Sequence, residues 1–223
     1  IPLLVLLVLS VDEVTNLLSG IGYRILIEVI PESNVWVITK EYLIGDNVKC
    51  IVLPTIYPTF SAICINLGVC VVCALLLKLF KVLGKPLGIF TLFGLVTHMA
   101  ACLFFLFAQE YFPYKIEDYS FSYISQQIGL WMIFIVLAGL VIGFMGEGGY
   151  VYKTITFFGI MLYSFVFGTI RYILYLYILY RISTLYMVLL FFVVGPSFDF
   201  AYFVALYAGF INRTIKEYDY GKR

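Results

Sequence analysis

Charged residues are scarce in this sequence. Asp, Glu, Lys and Arg make up 12% of its 223 residues, against roughly 25% in ordinary soluble domains. Hydrophobic residues make up 63%, and this is more apolar surface than a single core could bury, so the excess must face lipid. The near-neutral net charge of +1 gives no reason to expect a nucleic-acid partner. The composition therefore excludes an ordinary soluble enzyme.

The sequence has a single histidine, His98. No pair of histidines can bind a metal, and no Cys/His cluster has metal-ligand spacing. The five cysteines are an odd number, and four of them lie in apolar runs, which favours buried thiols over a disulfide framework. The glycine-rich segment at 146–149 is not followed by the Lys-Ser/Thr of a phosphate-binding loop. We therefore expect no metal and no cofactor.

Long apolar runs are what the sequence has instead. A membrane-spanning helix needs roughly 20 apolar residues, and a Gly195-Pro196 pair in the last run predicts a kink or a re-entrant break. The sequence predicts an all-α integral membrane bundle with five clear transmembrane helices, or six if the apolar residues 1–11 end another span. The predicted spans are Ser61–Leu79, Leu87–Phe107, Ile124–Met145, Thr154–Tyr180 and Thr184–Ile211.

The first 60 residues follow a different pattern. Asp12–Ile30 mixes charges with apolar residues, as in an amphipathic helix at a membrane interface. Val35–Thr39 and Val48–Pro54 are rich in β-forming residues, and Gly45-Asp46-Asn47 between them reads as a turn, with Tyr42–Ile44 a possible extension of the first strand. We predict a small β-hairpin at residues 35–54, outside the bilayer, because sheet edges cannot face lipid.

The distribution of lysine and arginine predicts the orientation. Basic residues cluster between the first two spans, after the third and after the last, so these places and the C-terminus are expected to be cytoplasmic. The hairpin and the Gln109–Tyr123 loop are then extracytoplasmic. The predicted domains are residues 1–60 (a truncated span, the amphipathic helix and the hairpin), residues 61–212 (the transmembrane bundle) and residues 213–223 (a cytoplasmic tail).

Polar side chains at membrane depth are the candidate binding residues, since burying them in lipid is costly. They are Gln126, Gln127, Arg171 and Asp199. Each also has a structural interpretation. The glutamines could begin a helix at the interface, Arg171 could snorkel to the membrane surface, and Asp199 could lie beyond the membrane or cap a helix.

Cys64 and His98 are the candidate catalytic residues, as a thiol nucleophile and its base. A thiol needs a base or a cation beside it to ionise, and His98 is the one imidazole that could serve. The alternative is that His98 hydrogen-bonds a neighbouring helix. Asn66, near Cys64, is a further polar residue at this depth.

The order of these features resembles the exosortase/archaeosortase family of membrane thiol enzymes, which have a Cys, then an Arg on the next span, then a His on a later one. In one register, over about residues 10–145, Ala62-Ile63-Cys64-Ile65-Asn66 stands where the family has a Cys-Ser-Gly turn. Cys64 then fits the Cys position, but the Ser-Gly is not present. In a second, over about residues 100–215, Gln127-Ile128-Gly129 takes the Cys-Ser-Gly place, Arg171 takes the Arg place and Phe191 stands near the His. Neither register preserves the complete set.

The resemblance implies a multi-pass protein of a bacterial or archaeal plasma membrane. With an incomplete set, we expect a non-catalytic subunit or scaffold in a surface-polysaccharide or protein-export and sorting complex, with the lipid bilayer and other membrane subunits as partners. Two alternatives remain open. One is a transporter or channel subunit for a small molecule or an ion, and the other is an exosortase-like thiol peptidase or transpeptidase.

Overall fold

Two compact units make up the chain, each assembled from separate stretches of sequence. The computed structural model describes residues 2–42, 45–145, 149–202, 204–205, 208–209 and 212. Unit 1 is Ile1–Ile51, Ser120–Ile173 and Phe198–Arg223, and unit 2 is Val52–Tyr119 and Leu174–Ser197. The predicted domain limits at residues 60 and 212 follow membrane topology rather than packing, and they stay predictions.

Two short helices open unit 1. Helix α1 (Pro2–Leu9) and helix α2 (Val11–Val29) are bent by 64° at their junction, and together they are long and apolar enough to form one broken span. Helix α2 buries one face at helical spacing, as an amphipathic helix does; the buried residues are Val11, Thr15, Leu18, Ser19, Gly22 and Leu26. The predicted helix at 12–30 is present, and its place at a membrane interface stays a prediction.

A two-stranded sheet follows, as predicted, but its limits differ from the prediction. Strand β1 is Trp36–Tyr42 and strand β2 is Gly45–Val52, and the two are hydrogen-bonded neighbours. So short a connection can join only antiparallel strands. The predicted turn at residues 45–47 is wrong, because these residues belong to β2. Leu43 and Ile44, predicted to extend β1, lie outside the described residues.

Within the described part of the chain, five helices are long and apolar enough to cross a membrane, as the hydropathy of the sequence predicted. Thr59 begins the first by accepting a hydrogen bond from the Ala62 amide, the usual role of a threonine at this position, and Pro86 opens the second, where its missing N–H costs nothing. The helices are α3 (Phe60–Leu79), α4 (Pro86–Ala108), α5 (Ile116–Met145), α6 (Tyr150–Arg181) and α7 (Thr184–Tyr202).

Helix α5 begins eight residues before the predicted span at Ile124. Its first turn carries Glu117 and Asp118, and acidic side chains are favourable at the positive end of a helix dipole. The Lys115 amide also donates to the Asp118 carboxylate at 2.9 Å. The predicted loop at Gln109–Tyr123 is therefore wrong over its second half, because hydropathy marks the apolar run and not the polar helical turns before it.

Helix α7 continues through Gly195-Pro196 instead of breaking there. A π-helical turn, Leu190–Val194, comes directly before the pair, and residues 195–202 are helical. Such a widened turn is one way for a helix to accommodate a proline, which lacks an amide hydrogen and crowds the preceding turn. The predicted re-entrant break is wrong within the described residues, because the proline changes the type of helical turn rather than ending the helix.

Each unit has its own apolar packing. In unit 2, buried residues of α3, α4 and α7 form a cluster of Ile63, Ala101, Cys102, Phe105 and Leu185. In unit 1, α5 and α6 pack through Ala138, Ile142 and Ile160. In each of the five long helices only 11–39% of the apolar window is buried inside the protein, as expected for helices that face hydrocarbon.

Candidate functional site

A buried arginine organises the polar site of unit 1. Arg171 lies on α6 and is 4% exposed. Its three neighbours come from two other helices: Tyr123 and Gln127 from α5, and Asp199 from α7. Tyr123 and Gln127 are four residues apart and therefore share one face of α5. The site is thus built by three helices that each contribute to one point.

The guanidinium group uses each of its three nitrogens. Nη1 lies 2.8 Å from the Asp199 Oδ1 atom, Nε donates to the Tyr123 hydroxyl at 2.8 Å, and Nη2 donates to the Gln127 Oε1 atom at 3.2 Å. The Tyr123 hydroxyl in turn donates to the Gly168 carbonyl at 2.9 Å. A planar guanidinium presents five donors in a fixed fork, so these contacts fix the position of all three helices.

The ion pair is strongly desolvated, since both side chains are almost completely buried. Removing two charges from water costs several kcal/mol each, and close contact with good hydrogen bonds offsets this cost. An unpaired partner would be left as a charge in an apolar environment. Each of the two charges therefore depends on the other, because neither is stable in this buried position without its partner.

Two polar atoms beside the arginine have no hydrogen-bond partner among the described residues. They are the Gln127 Nε2 donor and the Asp199 Oδ2 acceptor. A buried polar group without a partner costs about 1–3 kcal/mol. A water molecule, or a small ligand that can both accept and donate, would satisfy such a pair of atoms.

Three of the four predicted binding residues converge at this point, namely Gln127, Arg171 and Asp199. Gln126 is half-buried and lies at the next position of α5, about 100° around the helix from Gln127. The two glutamines lie about three turns inside α5, so the interpretation that they begin a helix is wrong. Arg171 is buried, so it does not snorkel, and Asp199 lies buried within helical residues 195–202 rather than at a cap.

A second polar contact in unit 1 connects the sheet to the helices. The Ile51 amide of β2 donates to the Tyr172 hydroxyl at 2.9 Å, and this hydroxyl lies 2.6 Å from the Ser120 Oγ atom of α5. Tyr172 and Ser120 are completely buried. This hydroxyl holds the end of β2 against α5 and α6.

A separate polar cluster lies in unit 2. The Asn66 Oδ1 atom of α3 accepts from the Tyr186 hydroxyl at 2.7 Å and lies 3.2 Å from the His98 Nε2 atom. Because Oδ1 only accepts, the His98 Nε2 carries the hydrogen and Nδ1 has the lone pair. The rings of His98 and Tyr186 stack with their centres 5.0 Å apart. The interpretation that His98 hydrogen-bonds a neighbouring helix is confirmed.

Cys64, the predicted nucleophile, does not face His98. Cys64 is exposed, and it lies two residues from Asn66, about 200° around α3. Asn66 faces His98, so Cys64 faces away from it. Cys64 and His98 are therefore not brought together as a thiol and its base. Among the described residues, no three His, Cys, Asp or Glu side chains are grouped so as to hold a metal ion.

Sequence reasoning missed Tyr123, Ser120 and Tyr186. Ser120, Tyr123 and Gln127 follow one another at spacings of three and four, the pattern of one helix face. That pattern was visible in the sequence, but placing the start of α5 at Ile124 left the first two in a loop. Tyr186 carried no comparable signal, since 19 tyrosines are present.

The comparisons with known proteins leave the chain without a family assignment. No family model matches the chain, and the searches of curated proteins and of solved structures found no match either.

Proposed function

We propose that the protein is a multi-pass membrane protein that acts without covalent chemistry, as a subunit or scaffold of a larger membrane assembly. The orientation of Cys64 is the observation that carries this proposal. Its thiol is exposed on the face of α3 opposite the one that bonds His98. A nucleophilic thiol needs a base or cation within hydrogen-bond reach, and the imidazole does not provide one.

The polar groups of unit 1 support the same conclusion. Arg171 is held by Asp199, Tyr123 and Gln127. In the second exosortase-like register, Gln127 takes the place of that family's Cys, and in this protein its amide contacts Arg171. An amide is not a nucleophile, so the contact keeps the helices together without supplying the chemistry.

Helix α3 favours a partner subunit. It is the most apolar of the five helices, with a mean hydropathy of 2.6, yet only 11% of its apolar window is buried, against 28–39% in the others. Gly68 lies on its exposed face, where an added Cβ would meet nothing within 4 Å. A glycine costs roughly 0.5–1 kcal/mol relative to alanine in a helix, and small residues let a second membrane helix approach closely.

A photo-crosslinking experiment tests the proposal. A photoreactive residue at Val72, one turn from Gly68 on α3, is expected to give one discrete protein adduct in native membranes. The same residue at Val166 on α6 is the matched control, since both positions are about half exposed, and it should react with lipid alone. Gly68→Ile should abolish the Val72 adduct. Equal adducts from both positions, or none, would contradict a partner on α3.

The absence of thiol chemistry has its own test. Cys64→Ser should complement a deletion strain as fully as the unaltered protein does, when the two proteins are present at equal levels in the membrane. A variant that accumulates normally but does not complement would identify Cys64 as a reacting group and would favour the peptidase alternative.

A transport role is the second candidate, and the two unpartnered atoms beside Arg171 favour it. Gln127 Nε2 and Asp199 Oδ2 could bind a small polar solute or an ion's hydration water at membrane depth. Gln127→Leu removes this amide and leaves the Arg171–Asp199 pair in place. Solute or ion flux in proteoliposomes that is lost in this variant would support transport, and absence of flux in the unaltered protein would exclude it.

A further inference from the structure

A cavity lies at the end of α4 in unit 2, and none of its lining residues belongs to the polar cluster of Asn66, His98 and Tyr186. Its volume is about 520 Å³, and it is lined by residues 105–112 together with Tyr57, Phe60 and Ile63. Volumes of roughly 300–1,000 Å³ are typical of small-molecule sites. The cavity is therefore large enough for a small organic group.

The floor of the cavity is firmly held. Ile63 and Phe105 are each 2% exposed and belong to the buried cluster of unit 2. The ring of Phe112 packs against that of Phe105 with their centres 4.7 Å apart. The rim is open by contrast, since Tyr57 is 40% and Tyr111 79% exposed. A rigid floor with accessible rings at its edge suits a ligand that enters from the surface.

The charge of the lining favours a cation. The lining residues include no lysine, arginine or histidine, and they include one carboxylate, Glu110. Residues 105–108 also form the last turn of α4. The last carbonyls of a helix are partly unpaired and carry the negative end of its dipole. An anion would meet partial and full negative charge here without any positive group to balance it.

Aromatic rings make up more than half of the lining. Six of the eleven lining residues are Phe or Tyr. The face of an aromatic ring attracts a cation, and quaternary ammonium groups are bound in this way. A metal ion is a poor fit, because calcium takes six to eight oxygen ligands and the lining has a single carboxylate. The combination of rings with one acidic group selects an organic cation.

We propose that this cavity binds the ammonium group of an organic cation, with the aromatic rings around the charge and Glu110 as its counter-ion. The same chemistry is present in the headgroup of a choline lipid and in a free quaternary amine. Both sources would place the ammonium group against the α4 terminus.

The experiment uses the full-length protein in a maltoside detergent, because a detergent with a choline headgroup would occupy the cavity. Tetramethylammonium and phosphocholine are the free probes, titrated by calorimetry. Spin-labelled phosphatidylcholine in vesicles is the lipid probe, with spin-labelled phosphatidylglycerol as the anionic comparison. Saturation by the free probes identifies a soluble amine site, and saturation by phosphatidylcholine alone identifies a lipid headgroup site.

The variants decide whether binding occurs in this cavity. Glu110→Gln should weaken binding of the cationic probe by about threefold to tenfold, because it removes the counter-ion, and Tyr57→Leu by a similar factor, because it removes one of the rings that attract the cation. Tyr57→Phe keeps the ring and should bind like the unaltered protein, which guards against a folding defect. Glu41→Gln and Tyr150→Leu are controls, because both residues are exposed and neither lines the cavity.

Three results would overturn the proposal. One is the absence of saturable binding of both tetramethylammonium and phosphatidylcholine. Another is binding that is unchanged in Glu110→Gln and Tyr57→Leu, because the ligand would then occupy another place. Preference for phosphatidylglycerol over phosphatidylcholine would also contradict it, since the lining has no positive group for an anionic headgroup.

Discussion

Arg171 and Asp199 depend on each other at the scale of single residues. Arg171→Leu leaves the Asp199 carboxylate buried without its cation, and losing one partner of a buried pair costs about 3–5 kcal/mol. The double variant Arg171→Leu/Asp199→Leu should recover most of this loss, because an apolar pair needs no desolvation. Thermal unfolding midpoints in detergent measure both effects.

The control for this pair is Arg181→Leu, since Arg181 is exposed at the end of α6. It should change stability by at most about 0.5 kcal/mol. If Arg171→Leu were as stable as the unaltered protein, the buried ion pair would not hold α6 and α7 together.

The Tyr172 hydroxyl is expected to stabilise the end of β2. Tyr172→Phe keeps the ring but leaves the Ile51 amide without its acceptor, at a cost of about 1–3 kcal/mol for a buried unpaired group. Hydrogen exchange over residues 45–52 should become faster. Tyr177→Phe, on the same helix but only half-buried, should leave this exchange unchanged; equally fast exchange in both variants would contradict the specific contact.

At the scale of helices, α5 and α6 approach closely at Gly168. A Cβ at Gly168 would lie 2.8 Å from the Gln127 Cδ atom, whereas one at Gly159 on the same helix would meet nothing within 4 Å. Gly168→Ala should therefore displace the Gln127 side chain and destabilise the protein by about 1–3 kcal/mol. Gly159→Ala should be neutral or stabilising by up to about 1 kcal/mol. Unfolding midpoints distinguish the two, and equal values would contradict the close approach.

The limits of the long helices were only partly predictable from the sequence. Apolar length located α3, α4, α6 and the start of α7 to within a few residues, because hydropathy is a property of the local chain. The predicted end of α7 at Ile211 lies outside the described residues. Sequence reasoning misplaced the start of α5, where the helix begins in polar residues that are stabilised by Glu117 and Asp118 in its first turn. It also predicted a kink or a re-entrant break at Pro196, and of these two the break is wrong, because a π-helical turn accommodates the proline within the described residues.

At the scale of the whole molecule, the proposed membrane orientation can be tested by labelling. In a background without the five native cysteines, Ser33→Cys should react with a membrane-impermeant maleimide on intact cells, because it precedes the hairpin on the predicted outer side. Gly84→Cys, in the predicted cytoplasmic turn, should react only after permeabilisation. Both positions are exposed, so differences in reactivity report the side of the membrane, and a reversed pattern would contradict the orientation.

Composition and hydropathy by themselves determined that the chain forms several long apolar helices and one small sheet, because apolar length and strand propensity are both properties of the local sequence. The tertiary structure alone decided which polar residues meet. Arg171 bonds residues 44 and 48 positions away, and Asn66 joins His98 and Tyr186 across 32 and 120 positions. Such contacts depend on how helices rotate and pack against one another, and no local pattern specifies that rotation.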